Sequence, residues 1–228
     1  MINTRKLAAI LAADVAGYSR LVGLDEEGTI ARLQALRCEL IGPAIAKHHG
    51  RIFKTTGDGL LVEFASVVDA VRCAVEVQRS MAERNSDVNV ERRIEFRVGV
   101  NLGDVMVQDE DLVGDGINVA ARLESLSEPG GMCLSEDAYR HVRDRLNLKC
   151  VDGGEQRLKN IARPIRIFRV SLSGASAAPP SSQDGADTAN LSSVRWSMVV
   201  LPFTTIGSNS RWMNPGKERE IRGARAAA

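Results

Sequence analysis

The chain of 228 residues has little aromatic content, 4%, and no uninterrupted apolar run of the roughly 18 residues that a membrane-spanning helix needs. No membrane span is therefore encoded in it. Its net charge of +1 leaves no bulk attraction for polyanions, which argues against a nucleic-acid coat. The four cysteines, Cys38, Cys73, Cys133 and Cys150, form no C-x-x-C pair and no metal-type spacing. Free thiols in a reducing cytoplasm are the expectation, and the sequon Asn190-Leu191-Ser192 then carries no meaning. Phosphate-binding glycine motifs are missing too. No G-x-x-x-x-G-K-[ST] occurs, since Gly216-Lys217 lacks the upstream glycine and precedes Glu218, and no G-x-G-x-x-G opens a helix. There is no Gly-x-Ser-x-Gly elbow, and His48 and His49 close a helical stretch with no third zinc ligand.

What is present is an ordinary globular composition, 44% hydrophobic and 26% charged. The apolar run at 7–13 reads as a buried strand that ends on Asp14. Asp14 breaks the run too early for a signal peptide. Residues 51–55 and 60–64 flank Asp58-Gly59, a hairpin signal that sets Asp58 at the tip of a tight turn. Between Asp14 and that hairpin, Ile30, Leu33, Leu36, Leu40, Ile41 and Ile45 recur at helical spacing, with Gly42-Pro43 as the expected kink. Ser66 opens a further helix whose inner face is Val68, Val71, Val75 and Met81. A strand is predicted at 94–102, a polar loop at 103–113, a helix at 117–126 and a helix from Ser135. Short strands are predicted at 132–134, 146–149 and 165–170. The order strand, helix, strand, strand, helix, strand defines an α+β fold, a ferredoxin-like βαββαβ core with a small C-terminal α/β extension.

Chemistry enters where the turns fall. Asp14 and Asp58 would meet at one sheet edge, and like charges that close repel unless a cation lies between them. Mg²⁺ suits such a pair, because it takes oxygen ligands and shares them with substrate phosphates. Taken alone, Asp14 reads better as a cap of the following helix and Asp58 as an ordinary hairpin residue; the pair together favours the metal. Asn118 and Arg122 stand four apart on one helix face, where a guanidinium could meet a phosphate and an amide a sugar, or both could be plain solvated side chains. Lys54 and Asp111 carry no generic motif.

Three segments together resemble one family. Asp14-Val15-Ala16-Gly17-Tyr18-Ser19, Phe53-Lys54-Thr55-Thr56-Gly57-Asp58-Gly59 and 111–122, which runs from Asp111 through Asn118 to Arg122, are similar to the signatures of class III nucleotidyl cyclase catalytic domains. The detail most resembles bacterial adenylate cyclases in which this domain comes first. The resemblance implies that Asp14 and Asp58, with the carbonyl of Val15, hold two Mg²⁺ or Mn²⁺ ions. It implies that the amides of Gly17, Tyr18 and Ser19 cradle a triphosphate, and that Lys54 and Asp111 read adenine, so that ATP is the substrate. Asn118 would orient the ribose and Arg122 would steady charge on the α-phosphate. Lys159 is the nearest candidate for a triphosphate lysine. A head-to-tail homodimer with shared active sites is implied, with the aspartates and the Asn/Arg pair coming from opposite subunits.

On this reading residues 1–170 are the catalytic domain and 171–195 a flexible Ser/Ala/Pro-rich linker. Residues 196–228 would be the truncated start of a TolB-like segment, with a disordered tail that resembles nothing expected. The implied activity is conversion of ATP to cyclic AMP and pyrophosphate in cytoplasmic signalling. The alternative is a weak or inactive cyclase-like module that binds nucleotide or a protein partner. A GGDEF-type diguanylate cyclase is disfavoured, because the hairpin reads Thr56-Gly57-Asp58-Gly59.

Overall fold

A computed structural model describes residues 4–108 and 111–172. The linker and TolB-like segment expected beyond them lie outside the described residues.

The centre of the fold is β1 (Thr4–Val15), whose residues 8–12 are buried on both faces. Its alternation explains the apolar run. Ala9, Leu11 and Val15 join one hydrophobic cluster, while Ala8, Ile10 and Ala12 join another on the opposite side of the sheet. β2 (Arg51–Thr56), β3 (Gly59–Phe64) and β4 (Phe96–Gln108) complete a four-stranded antiparallel core in the order β2-β3-β1-β4. The sheet continues through β6 (Met132–Ser135), β8 (Ile165–Val170) and β7 (Cys150–Gln156), with β5 (Asp111–Val113) paired to β4. β4 and β6 run parallel, as a helical crossover between them requires.

Helices cover both faces. α1 (Tyr18–Leu24), α2 (Glu26–Leu36), α3 (Gly42–Lys47), α4 (Val67–Arg84) and α6 (Glu136–Val142) contribute to the larger cluster. α5 (Asp115–Ser125) lies on the other face, against β1 and β4. Its backbone seats directly on Gly99, where an added Cβ would lie 2.2 Å from the Glu124 amide nitrogen and 2.3 Å from the Ala120 carbonyl oxygen. The expected caps are in place. The Ser66 hydroxyl accepts from the Asp69 amide, and Ser135 accepts from Ala138, each at 3.3 Å.

Four local expectations are corrected. The loop read at 103–113 is strand and hairpin, because the polar start of β1 supplies a ladder partner: Thr4 pairs with Val107 and Leu7 with Asp104. β4 then turns back so that Gln108 pairs with Asp111. The strand read at 146–149 begins at Cys150 instead. Leu146 and Leu148 pack on the core from a turned segment, and the strand bulges between Asp152 and Glu155. The kink expected at Gly42-Pro43 is preceded by a π turn, Arg37–Ile41, that accommodates a proline unable to donate to the ladder. Finally, the two central residues of the β2–β3 turn are Gly57-Asp58 rather than Asp58-Gly59, since Thr56 pairs with Gly59. Gly57 holds φ at +58°, the positive value that this first turn position demands.

Candidate active site

Asp14 leaves β1 beside Ala13, whose register partner on β3 is Leu60, so the β2–β3 turn stands next to the end of β1. At Gly59 a Cβ would sit 3.2 Å from the Ala13 carbonyl oxygen and 3.5 Å from Asp14 Oδ1, a close approach that favours glycine. Asp58 follows directly into this corner. Partial burial, followed by hydrogen bonding to and repulsion from Asp14, pushes the Asp58 carboxyl up to about 6. The two carboxylates that the sequence singled out are therefore neighbours.

The sequence reading missed two further members of this cluster. Arg97 stands opposite Asp14 in the β1–β4 ladder, and its Nη2 donates to Asp14 Oδ2 at 3.2 Å. Its Nε lies 3.2 Å from Glu124 Oε1, yet neither atom has an aligned hydrogen-bond partner, so this contact is an ion pair without direction. Glu124 is 8% exposed. Burial, then repulsion from Asp14 and Asp58, pushes it up to about 7 against the pull of Arg97. One signal could have found it: Glu124 falls on the apolar stripe of α5 with Ile117, Ala120 and Leu123, where an acid demands a partner.

Lys54 and Asp111, 57 residues apart, are brought together at 3.5 Å across the β2 and β5 edges, both side chains about half exposed. Gly17 caps α1 in the left-handed region (φ 66°, ψ 34°), which turns the chain so that Tyr18 and Ser19 open that helix just past Asp14. Amides at such an opening have no helical carbonyl to donate to. Asn118 is exposed on α5, and Arg122 is half-buried with Nε unpartnered among the described residues. A helix turns about 100° per residue. With Glu124 facing Arg97, Arg122 is rotated about 200° from that direction, and Asn118 shares its face. The Asn/Arg pair thus looks away from the carboxylates of its own chain. Lys159 is exposed in the segment between β7 and β8 and makes no ion pair among the described residues. Nothing links it to the cluster.

The donor set fits a divalent ion shared with a substrate. Among the described residues no group of three His, Cys, Asp or Glu side chains converges as a complete cage. Two neighbouring carboxylates suit Mg²⁺ or Mn²⁺ when phosphate oxygens fill the remaining positions. His48 belongs to another part of the surface, where it meets Glu76 at 2.9 Å. The cysteines are all free, with burial pushing Cys73 up to about 12 and Cys133 to about 11. No helix among the described residues is long and apolar enough to cross a membrane.

Comparison with known proteins shows the family. The profile of the adenylate and guanylate cyclase catalytic domain matches residues 3–170. The chain belongs to that family, and its α+β architecture is the nucleotidyl cyclase fold. It is 46% identical over 205 residues to "Putative adenylate cyclase 3" of Rhizobium meliloti (strain 1021), covering 90% of this chain and 35% of that protein. Thus the chain spans about a third of that relative's length. Among solved structures, an adenylate/guanylate cyclase/hydrolase from Silicibacter pomeroyi is 47% identical with a TM-score of 0.71, covering 74% of this chain and 98% of that one. The adenylyl cyclase CyaB from P. aeruginosa is 25% identical with a TM-score of 0.65, covering 75% and 96%.

Proposed function

We propose that the chain is an adenylate cyclase that converts ATP to 3′,5′-cyclic AMP and pyrophosphate at sites shared between two copies of itself. The observation that carries the reading is the convergence of Asp14 and Asp58 at one end of the sheet, where the two carboxyls are within hydrogen-bonding reach and partial burial together with that contact raises Asp58 to about 6. In this reading Asp14, Asp58 and the Val15 carbonyl hold two divalent ions. Bound there, the ions supply charge that favours an ionised 3′-hydroxyl at the α-phosphorus and steadies the departing pyrophosphate.

The remaining roles fall to the chain's own groups. The amides of Gly17, Tyr18 and Ser19 receive triphosphate oxygens at the opening of α1. Arg97, already held at Asp14, adds a fixed guanidinium beside the same phosphates. Lys54 donates to the adenine ring nitrogen and Asp111 accepts from the exocyclic amine. Their 3.5 Å separation supports a joint role in reading one base edge. Asn118 orients the ribose and Arg122 offsets charge on the α-phosphate from the second subunit. The direction of both side chains on α5, away from the carboxylates of their own chain, supports a head-to-tail dimer. Lys159 is a weaker candidate for the triphosphate.

Incubation of the purified chain with ATP and Mn²⁺ should yield cyclic AMP and pyrophosphate in equal amounts. Asp14→Ala and Asp58→Ala should each lower the rate at least about a hundredfold, the scale on which lost charge stabilisation acts. Cyclic product at wild-type rate from either variant would remove the carboxylates from the mechanism. Nucleotide binding without turnover in the wild type would favour the binding-module alternative.

A further inference from the structure

Arg37 is the first residue of the π turn that joins α2 to α3. The apolar positions around it run Leu33, Leu36, Ile41, Ala44 and Ile45, all buried, with a gap of five between Leu36 and Ile41. One extra residue in the helical turn absorbs that gap. It leaves the half-buried Arg37 beside the β2–β3 turn. There the Arg37 Nη2 donates to the Gly57 carbonyl oxygen at 2.6 Å and reaches the Gly59 carbonyl oxygen at 3.5 Å. These two carbonyls stand immediately before and after Asp58. Little else restrains the turn from that side: a Cβ added at the exposed Gly57 would meet nothing within 4 Å. A glycine at positive φ with no packing contact is a poor clamp by itself. The charge-assisted bond from Arg37 supplies the missing restraint.

We propose that Arg37 is a positioning residue for Asp58, bridging the carbonyls on either side of it so that its carboxylate stays against Asp14 and the pair keeps its affinity for divalent ions. The inference rests on the metal reading of Asp14 and Asp58. It assigns a function to the π turn, which otherwise serves only helix packing. Arg37 touches no substrate group; it acts through the backbone of the turn.

The test measures Mn²⁺ binding by calorimetry on the full chain with 3′-deoxy-ATP, which cannot cyclise. Arg37→Met should weaken binding about tenfold and speed hydrogen exchange at the amides of residues 57–59. Arg37→Lys, which keeps the charge but not the two-carbonyl reach, should weaken it about threefold. Arg51→Met, which removes the ion pair to Glu63 at the other end of the same hairpin, should leave Mn²⁺ affinity unchanged. Equal weakening in Arg51→Met would reduce Arg37 to general hairpin support and overturn the proposal. Wild-type affinity in Arg37→Met, or in Arg37→Lys should the methionine variant fail to fold, overturns it while Asp58→Ala still loses the ion. If Asp58→Ala binds Mn²⁺ as the wild type does, the metal reading falls and the positioning role with it.

Discussion

Glu124→Gln should make the metal-free protein more stable at pH 8, although it removes an ion pair. The carboxyl is 8% exposed and its pKa rises from 4.5 to about 7. An acid whose folded value is raised binds its proton more tightly in the folded state. Its stabilising contribution is therefore full below about pH 4.5 and is lost as pH rises through about 7. At 1.36 kcal/mol per unit, the ionised form costs about 3 kcal/mol at pH 8. Arg97 offsets this only in part: Glu124 stays near 7 despite its attraction, the 3.2 Å contact lacks hydrogen-bond alignment, and the Arg97 Nη2 donates to Asp14 instead. Glutamine keeps the shape and discards the charge. Urea unfolding followed by far-ultraviolet circular dichroism should show the variant about 2–3 kcal/mol more stable at pH 8, with the gap closing towards pH 4.5. Metal must be absent, since a cation at Asp14 would change the field on Glu124. A variant less stable than wild type at every pH would mean that attraction to Arg97 outweighs burial, and the argument would fail.

Three other outcomes follow from the proposed site. Mn²⁺ and nucleotide should raise the melting temperature strongly at pH 8 and weakly at pH 5, because Asp58, raised to about 6, must release its proton to accept a cation; an effect equal at both pH values, or retained in Asp58→Asn, contradicts this. Lys54→Glu with Asp111→Cys should shift the ratio of kcat/KM for ATP and GTP at least about tenfold towards GTP, since reversing donors and acceptors on one base edge leaves the wrong purine unpaired. An unchanged ratio would remove the pair from base recognition. Mixing inactive Asp58→Ala and Arg122→Ala chains in equal amounts should restore about a quarter of wild-type activity, because half the dimers are mixed and one of their two sites is intact. No recovery in a mixture shown to exchange subunits would count against shared sites.

The sequence made local features legible and left non-local ones hidden. β1, the β2–β3 hairpin, α4 and α5 announce themselves by period and turn or capping residues, and each appears in its expected segment, with the hairpin turn shifted by one residue. The extension of β4 was invisible because Gly103 and Asp104 look like loop until the polar start of β1 is laid beside them. The π turn left only an irregular gap in a helical pattern. Asp14 and Asp58 could be paired by reasoning about sheet ends, but the meeting of Lys54 with Asp111 depends on two edges that no local signal connects. Arg97 was missed for the same reason, since it looks unremarkable until β4 and α5 are stacked, whereas Glu124 left a signal in its place on the apolar stripe of α5.

Charge balance explains why these residues make sense together. Asp14, Asp58 and Glu124 place three acids in one corner against Arg97, the single cation paired into it among the described residues. The metal-free protein relieves this by holding protons, as the raised values of Asp58 and Glu124 record. A nucleoside triphosphate would bring several more negative charges to the same corner, so protons alone could not admit it at neutral pH. Divalent cations arriving with the substrate would displace the proton on Asp58 and offset the phosphates together. Substrate and ions are therefore expected to bind with positive coupling, each weak without the other. Arg37 would matter most in the empty protein, where no cation yet ties Asp58 to Asp14 and the turn carrying it must still be ready to receive both substrate and ions.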